Sequence, residues 1–358
     1  MTQPRFTIRI CQVFVFALIV PLIAGCDRGR NSAAPSATSR PDQAGDAPAR
    51  ESIDAALNAA QQYINSSDLP KAKAILLRLV EKAPNESHAH ELLGQVYGFE
   101  AAKPPENAPQ ADPRQLMQQA ADEYAKAVEL APKSAGLAQS AGMMALSAGR
   151  TDQALKYFHT AAEIDPANPQ PILFSAQVLM QKKDFAGAKS LLDDLLKRDA
   201  DEPYAIASLA VIALEQNDSA KAIELAGQAR EIAPDDVNIR VQEARIHRRV
   251  GNPQHAVELL AALSEEDRQK FAVADELARA FTAIGEHAKA KDALQLALLH
   301  IEPASDAWRV YVRLGETGLA AGKMDDARFW LEQAEARRPN AAEVVALRDA
   351  VNAVFKGL

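Results

Sequence analysis

Thiols and imidazoles are the side chains here best suited to nucleophilic or metal chemistry, and neither is arranged for it. Only Cys11 and Cys26 carry a thiol among 358 residues, and none follows Cys26. The remainder can hold no disulfide framework, thiolate metal site or cysteine nucleophile. His88 and His90 are two apart and would diverge on a helix, while His159, His247, His255, His287 and His300 are scattered. There is no Gly-rich phosphate loop, no Gly-x-Ser-x-Gly elbow and no His-Glu-x-x-His segment. These absences predict a chain that is not an enzyme, with no catalytic residue, metal site or cofactor.

What the chain has instead is a period. Segments of about 34 residues end alike, as in Ala154, Ala161 and Pro166, in Ala222, Ala229 and Pro234, and in Ala327, Ala334 and Pro339. A repeat of this length predicts a stacked helical array, which offers an extended surface rather than a closed pocket. Composition agrees: 48% of residues are hydrophobic and only 5% aromatic, so the core must be aliphatic and rich in alanine, which suits close helix packing. The formal charge is −8, and setting aside residues 1–25 removes Arg5 and Arg9 and makes it −10. An acidic, aromatic-poor chain is a poor nucleic-acid binder, so no nucleic-acid partner is expected.

The N-terminus is different in kind. Arg5 and Arg9 precede an apolar run from Ile10 to Ala24, broken by Gln12 and Pro21. This is the layout of an export signal, and it is short of the roughly 20 apolar residues that a membrane helix needs. The run ends Ile23-Ala24-Gly25-Cys26. That sequence resembles the lipobox of bacterial lipoproteins. The resemblance implies cleavage after residue 25, lipidation of Cys26 and a position on the periplasmic side of a membrane. Asp27 resembles an inner-membrane retention signal, which favours the inner over the outer membrane. The other readings are an ordinary signal peptide and an uncleaved anchor in which Cys26 is incidental. Acyl chains bind membrane with about 0.8 kcal/mol per buried CH₂, so two or three would anchor the chain. Residues 26–50 contain Pro35, Pro41 and Pro48 and almost no large apolar side chain, which predicts a disordered tether on the order of 25–30 Å in span.

The spacing over 51–358 resembles the tetratricopeptide repeat, with windows at 53–86, 87–134, 135–168, 169–202, 203–236, 237–270, 271–304 and 308–341. Leu93, Gly94, Tyr97, Ala120, Ala127 and Pro132 carry it in the second window, and Gly142, Gly149, Ala154, Phe158, Ala161 and Pro166 in the third. Later windows carry it through Leu209 and Ala210, through Leu277, Ala278, Phe281, Gly285, Ala290 and Ala297, and through Leu314, Gly315 and Gly322. The resemblance implies an all-α superhelix of about eight helix pairs. Small residues at positions 8, 20 and 27 let helices approach, Gly at 15 turns the chain between them, and Pro at 32 stops the second helix. Leu79, Leu195 and Leu263 replace Ala at position 27, Ala200 replaces Pro, and Ser264-Glu265-Glu266-Asp267 occupies a junction without Pro. Pro303 comes one place late and residues 305–307 are extra, so stacking at these junctions is expected to differ. The second window holds an insertion, 98–113, with Pro104, Pro105, Pro109 and Pro113, and residues 342–357 read as an amphipathic capping helix.

In such arrays the first helix of each pair lines a groove, through positions 2, 5, 9, 12 and 13. Carried onto this chain, those positions give an apolar stretch of Met143, Leu146, Leu173, Met180, Tyr204, Val211 and Leu214. Methionine suits surfaces that accept varied apolar ligands. They then give Arg245, Arg248, Arg249 and Arg279, which suit carboxylates or phosphates, unless Asp275 and Glu243 neutralise them. The carboxylate clamp of the co-chaperone subfamily is not reproduced, because the corresponding positions hold Leu57, Glu91 and Gln139. The expected function is a membrane-tethered scaffold that binds a protein or peptide in envelope assembly, secretion or polysaccharide export. The alternatives are a recruiting or regulatory module of an envelope hydrolase or glycosyltransferase complex, and a glycan or small-ligand binder.

Overall fold

The computed structural model describes residues 47–102, 112–301 and 307–356, and every regular element among them is a helix. Two compact units divide the chain, meeting in sequence between Gln181 and Lys182. The first contains α1 (Ala47–Asn65), α2 (Leu69–Lys82), α3 (Ser87–Ala102), α4 (Pro113–Leu130), α5 (Ala135–Ser147), α6 (Thr151–Ile164) and α7 (Gln170–Gln181). The second contains α8 (Phe185–Arg198), α9 (Pro203–Glu215), α10 (Ser219–Ile232), α11 (Val237–Arg249), α12 (Pro253–Ala261), α13 (Glu265–Gln269), α14 (Phe271–Ala283), α15 (His287–His300), α16 (Ala307–Ala320), α17 (Met324–Glu335) and α18 (Ala342–Lys356). Within each unit sequence-adjacent helices pack as antiparallel hairpins, α3 with α4 and α5 with α6 in the first, α9 with α10 and α16 with α17 in the second.

The small residues explain the hairpins. Position 20 is alanine in all eight windows (Ala72, Ala120, Ala154, Ala188, Ala222, Ala256, Ala290 and Ala327), and each is completely buried. At position 8, Gly142 lies under Phe158, where an added Cβ would come within 2.5 Å of the ring. Ala176, Ala210, Ala244 and Ala278 at the same position are also completely buried. Where Leu stands at position 27 it is accommodated: Leu79, Leu195 and Leu263 are all buried.

Turn chemistry is local and repeated. Asp68, Asp184 and Asp218 cap the second helix of their windows by accepting from the backbone N–H of Lys71, Gly187 and Lys221. The residue just before each cap is left-handed in seven windows. It is Gly149, Gly251, Gly285 or Gly322 in four of them, but Ser67 (φ 60°), Lys183 (φ 61°) and Asn217 (φ 64°) in the others. Only glycine adopts this conformation without a steric cost.

Two sequence expectations meet a different outcome, and one junction departs from the common pattern. Proline does not decide where the second helix stops: α8 ends at Arg198 with Ala200 following, in the same register as α2, α6 and α10, which have Pro84, Pro166 and Pro234. In each case the next residue turns and its N–H bonds back to the carbonyl four residues earlier, as Asp199 does to Leu195. At the junction without Pro, α12 stops after nine residues, and Ser264 opens the separate α13 by accepting from Asp267 N–H. Finally, α1 begins at Ala47, so residues 47–50 of the expected tether are helical, with Pro48 in the first turn where its missing N–H costs nothing.

The 98–113 insertion is partly helical. Residues 98–102 extend α3 and Pro113 opens α4, while Pro104, Pro105 and Pro109 lie outside the described residues. The signal segment, Cys26, the tether up to residue 46, and Pro303 also lie outside them. At the C-terminus α18 buries Val344, Leu347 and Val351, and Leu347 sits over Gly315. Among the described residues no helix is long and apolar enough to cross a membrane.

Candidate partner-binding face

The apolar residues singled out above divide between the two units. In the first, Met143 is buried within the core, whereas Leu146, Leu173 and Met180 are half-buried on α5 and α7. In the second, Tyr204, Val211 and Leu214 are half-buried on α9. Six of the seven thus keep part of their surface in solvent, and Leu146, Tyr204 and Leu214 also pack against the buried core. Met143 is set by packing alone. Tyr204 also pins two repeats together, since its hydroxyl donates to Asp236 Oδ2 at 2.6 Å. Burial, with the Asp236 bond second, pushes its phenol up to about 12.

The arginines lie in the second unit and form a lattice with carboxylates. Glu276 of α14 is 1% exposed and is held by two guanidiniums of α11, Arg248 and Arg245, the latter at 3.4 Å. One residue back on α14, Asp275 accepts from Arg279 Nε at 3.0 Å and from Arg313 of α16. Arg313 also pairs with Glu316. Arg245 donates further to Gln242 Oε1 at 3.2 Å, and Arg249 reaches Glu215 Oε1 at 2.7 Å. Burial pushes the Arg245 guanidinium below its ordinary range, and the nearby charge of Arg279 acts in the same direction. Glu243, weighed in the sequence as a neutraliser, is on another side of α11 and pairs with Arg230 Nε at 2.6 Å. Glu276 and Arg313 escaped the positional reading because they occupy position 6 of their windows. A carboxylate in the register of the buried Leu92 was the signal that could have found Glu276.

Histidines make structural contacts. His90 Nδ1 is 2.6 Å from Glu123 Oε2 and its Nε2 is 2.9 Å from the Pro84 carbonyl, tying α3 to α4 and to the preceding turn. His247 and His255 meet edge to face with centroids 4.3 Å apart. Among the described residues no group of three His, Cys, Asp or Glu side chains is placed to hold a metal ion.

Comparison with known proteins bears on the fold. Residues 145–212 and 213–280 each match the tetratricopeptide repeat family model. The two matched segments are consecutive and together cover residues 145–280. These repeats include α7, α9 and α11, which carry most of the apolar and basic residues described above. A 109-residue stretch is 31% identical to anaphase-promoting complex subunit 3 of Schizosaccharomyces pombe, covering 30% of this chain and 16% of that protein's length. A crystal structure of a tetratricopeptide repeat protein from Parabacteroides merdae superposes over 84% of this chain and 99% of its own, with a TM-score of 0.54 at 15% identity. That likeness shows the fold, an all-α solenoid of tetratricopeptide helix pairs. The APC/C hetero-tetramer Cut9-Hcn1 is similar over 83% of this chain and 55% of that one, with a TM-score of 0.48 at 15% identity.

Proposed function

We propose that the protein is a non-catalytic scaffold, tethered to a bacterial membrane through Cys26, that holds a protein or peptide partner along the first helices of its repeats. The carrying observation, made in each unit by itself, is the half-buried state of Leu173 and Met180 in the first and of Val211 and Leu214 in the second. Large apolar side chains there keep solvent-facing surface while position 20 of the same windows is completely buried. A periplasmic site and work in envelope assembly, secretion or polysaccharide export rest on the resemblance of Ile23-Ala24-Gly25-Cys26 to a lipobox. Asp27 favours the inner membrane in this reading.

Photo-crosslinking in intact cells tests the scaffold. A crosslinker at Leu173 or Leu214 gives a discrete protein adduct, whereas one at Leu77, an exposed residue of α2, does not. Labelling at Leu173 or Leu214 no stronger than at Leu77 would refute a dedicated face on the unit concerned. Palmitate labelling tests the anchor: label is lost in Cys26→Ser, and label retained by that variant refutes lipidation at this thiol.

A further inference from the structure

The lattice over α11, α14 and α16 brings arginines and carboxylates close together. Four guanidiniums (Arg245, Arg248, Arg279 and Arg313) share three carboxylates (Asp275, Glu276 and Glu316). Arg279 sits within the lattice. Its Nε is taken by Asp275, but among the described residues neither terminal nitrogen has a hydrogen-bond acceptor, and the side chain is 24% exposed. Asp275 holds Arg279 and Arg313 together, so two forks are fixed in place before any ligand arrives. A fixed fork loses little freedom on binding and matches a carboxylate with two parallel bonds.

We propose that this face binds an acidic, Asp- or Glu-rich segment of the protein partner, with one partner carboxylate seated on the terminal nitrogens of Arg279. The seated carboxylate offsets the mutual repulsion of Arg245 and Arg279. Arg248 and the buried Glu276 hold each other and do not themselves bind. The idea rests on the scaffold reading and adds to it the chemistry of the partner.

The test is fluorescence anisotropy of the full chain with a dye-labelled peptide of alternating Glu and Ala, and with its Gln counterpart. The Glu peptide binds about ten-fold tighter or better, and Arg279→Gln removes that advantage. Arg279→Gln leaves Asp275 paired with Arg313, so the fold is retained, and circular dichroism checks it. Arg279→Lys keeps the charge without the fork and recovers part of the difference. Equal binding of the two peptides, or an unchanged advantage in Arg279→Gln, overturns the proposal. So does displacement by inorganic phosphate at the peptide's own concentration, which would assign the site to a free anion. Should the peptide arms fail while the adducts at Leu173 and Leu214 persist, the acidic site is lost and the scaffold stands.

Discussion

Phe158 of α6 closes over Gly142 of α5, so that hydrogen is the largest substituent the α-carbon of Gly142 can carry. Gly142→Ala is therefore expected to destabilise the first unit by about 1–3 kcal/mol, the range for overpacking a filled core. Gly136, on the same helix, has nothing within 4 Å of an added Cβ. Gly136→Ala should be neutral or gain about 0.5–1 kcal/mol. Urea denaturation of the two variants measures the contrast. Similar values would mean that the close approach does not matter.

Ser67 adopts a left-handed backbone where other windows use glycine. Ser67→Gly removes that strain and is expected to raise stability by roughly 0.5–1 kcal/mol, after allowing for the freedom glycine adds to the unfolded chain. The converse change, Gly149→Ala at φ 77°, should lower it by about 1–2 kcal/mol. Thermal midpoints moving oppositely in the two variants are the expected result.

Glu276 is a buried carboxylate whose two arginine partners are only partly exposed. Glu276→Ala leaves both guanidiniums without it and should cost about 3 kcal/mol or more. Glu316→Ala, at the exposed rim of the same lattice, should cost about 1 kcal/mol or less. Denaturant titration separates the two. A small loss for Glu276→Ala would mean that water or rearrangement replaces the carboxylate readily.

His247 is buried with its Nδ1 lacking a hydrogen-bond partner among the described residues. Burial first, then His255 and Arg230, hold its pKa below 6.5. The unfolded chain thus binds the proton more readily, and stability falls as pH drops below about 6.5 toward the folded value. Glu243, raised by burial, acts oppositely: its contribution is present at low pH and is lost as pH rises above its ordinary range. Comparing wild type with His247→Gln isolates the histidine. The melting temperature of the variant should fall less between pH 7.5 and 5.5, and parallel curves would exclude this residue as the source.

The sequence contained the architecture because the architecture is local. Alanine at position 20 and glycine or alanine at position 8 recur at a fixed spacing, and Gly142 answers to Phe158 on the helix next in sequence. Left-handed turns at Gly149, Gly251, Gly285 and Gly322 could be read for the same reason, whereas Ser67 and Lys183 could not, since neither type prefers that conformation. The end of α8 at Arg198 shows the limit of a local rule. The turn that other windows mark with proline is made at Asp199 without it, where the Asp199 N–H closes back on the Leu195 carbonyl.

The candidate face lies further from what residue type can fix. Groove positions pointed to the four arginines, but side-chain type does not say which carboxylate holds which guanidinium. Arg245 and Glu276 are 31 residues apart, and Asp275 and Arg313 are 38 apart. Only the stacking of α11, α14 and α16 brings them within bonding distance. A carboxylate in water and one enclosed by two arginines are the same letter in the sequence. The difference between them is burial, and burial exists only once the helices have packed.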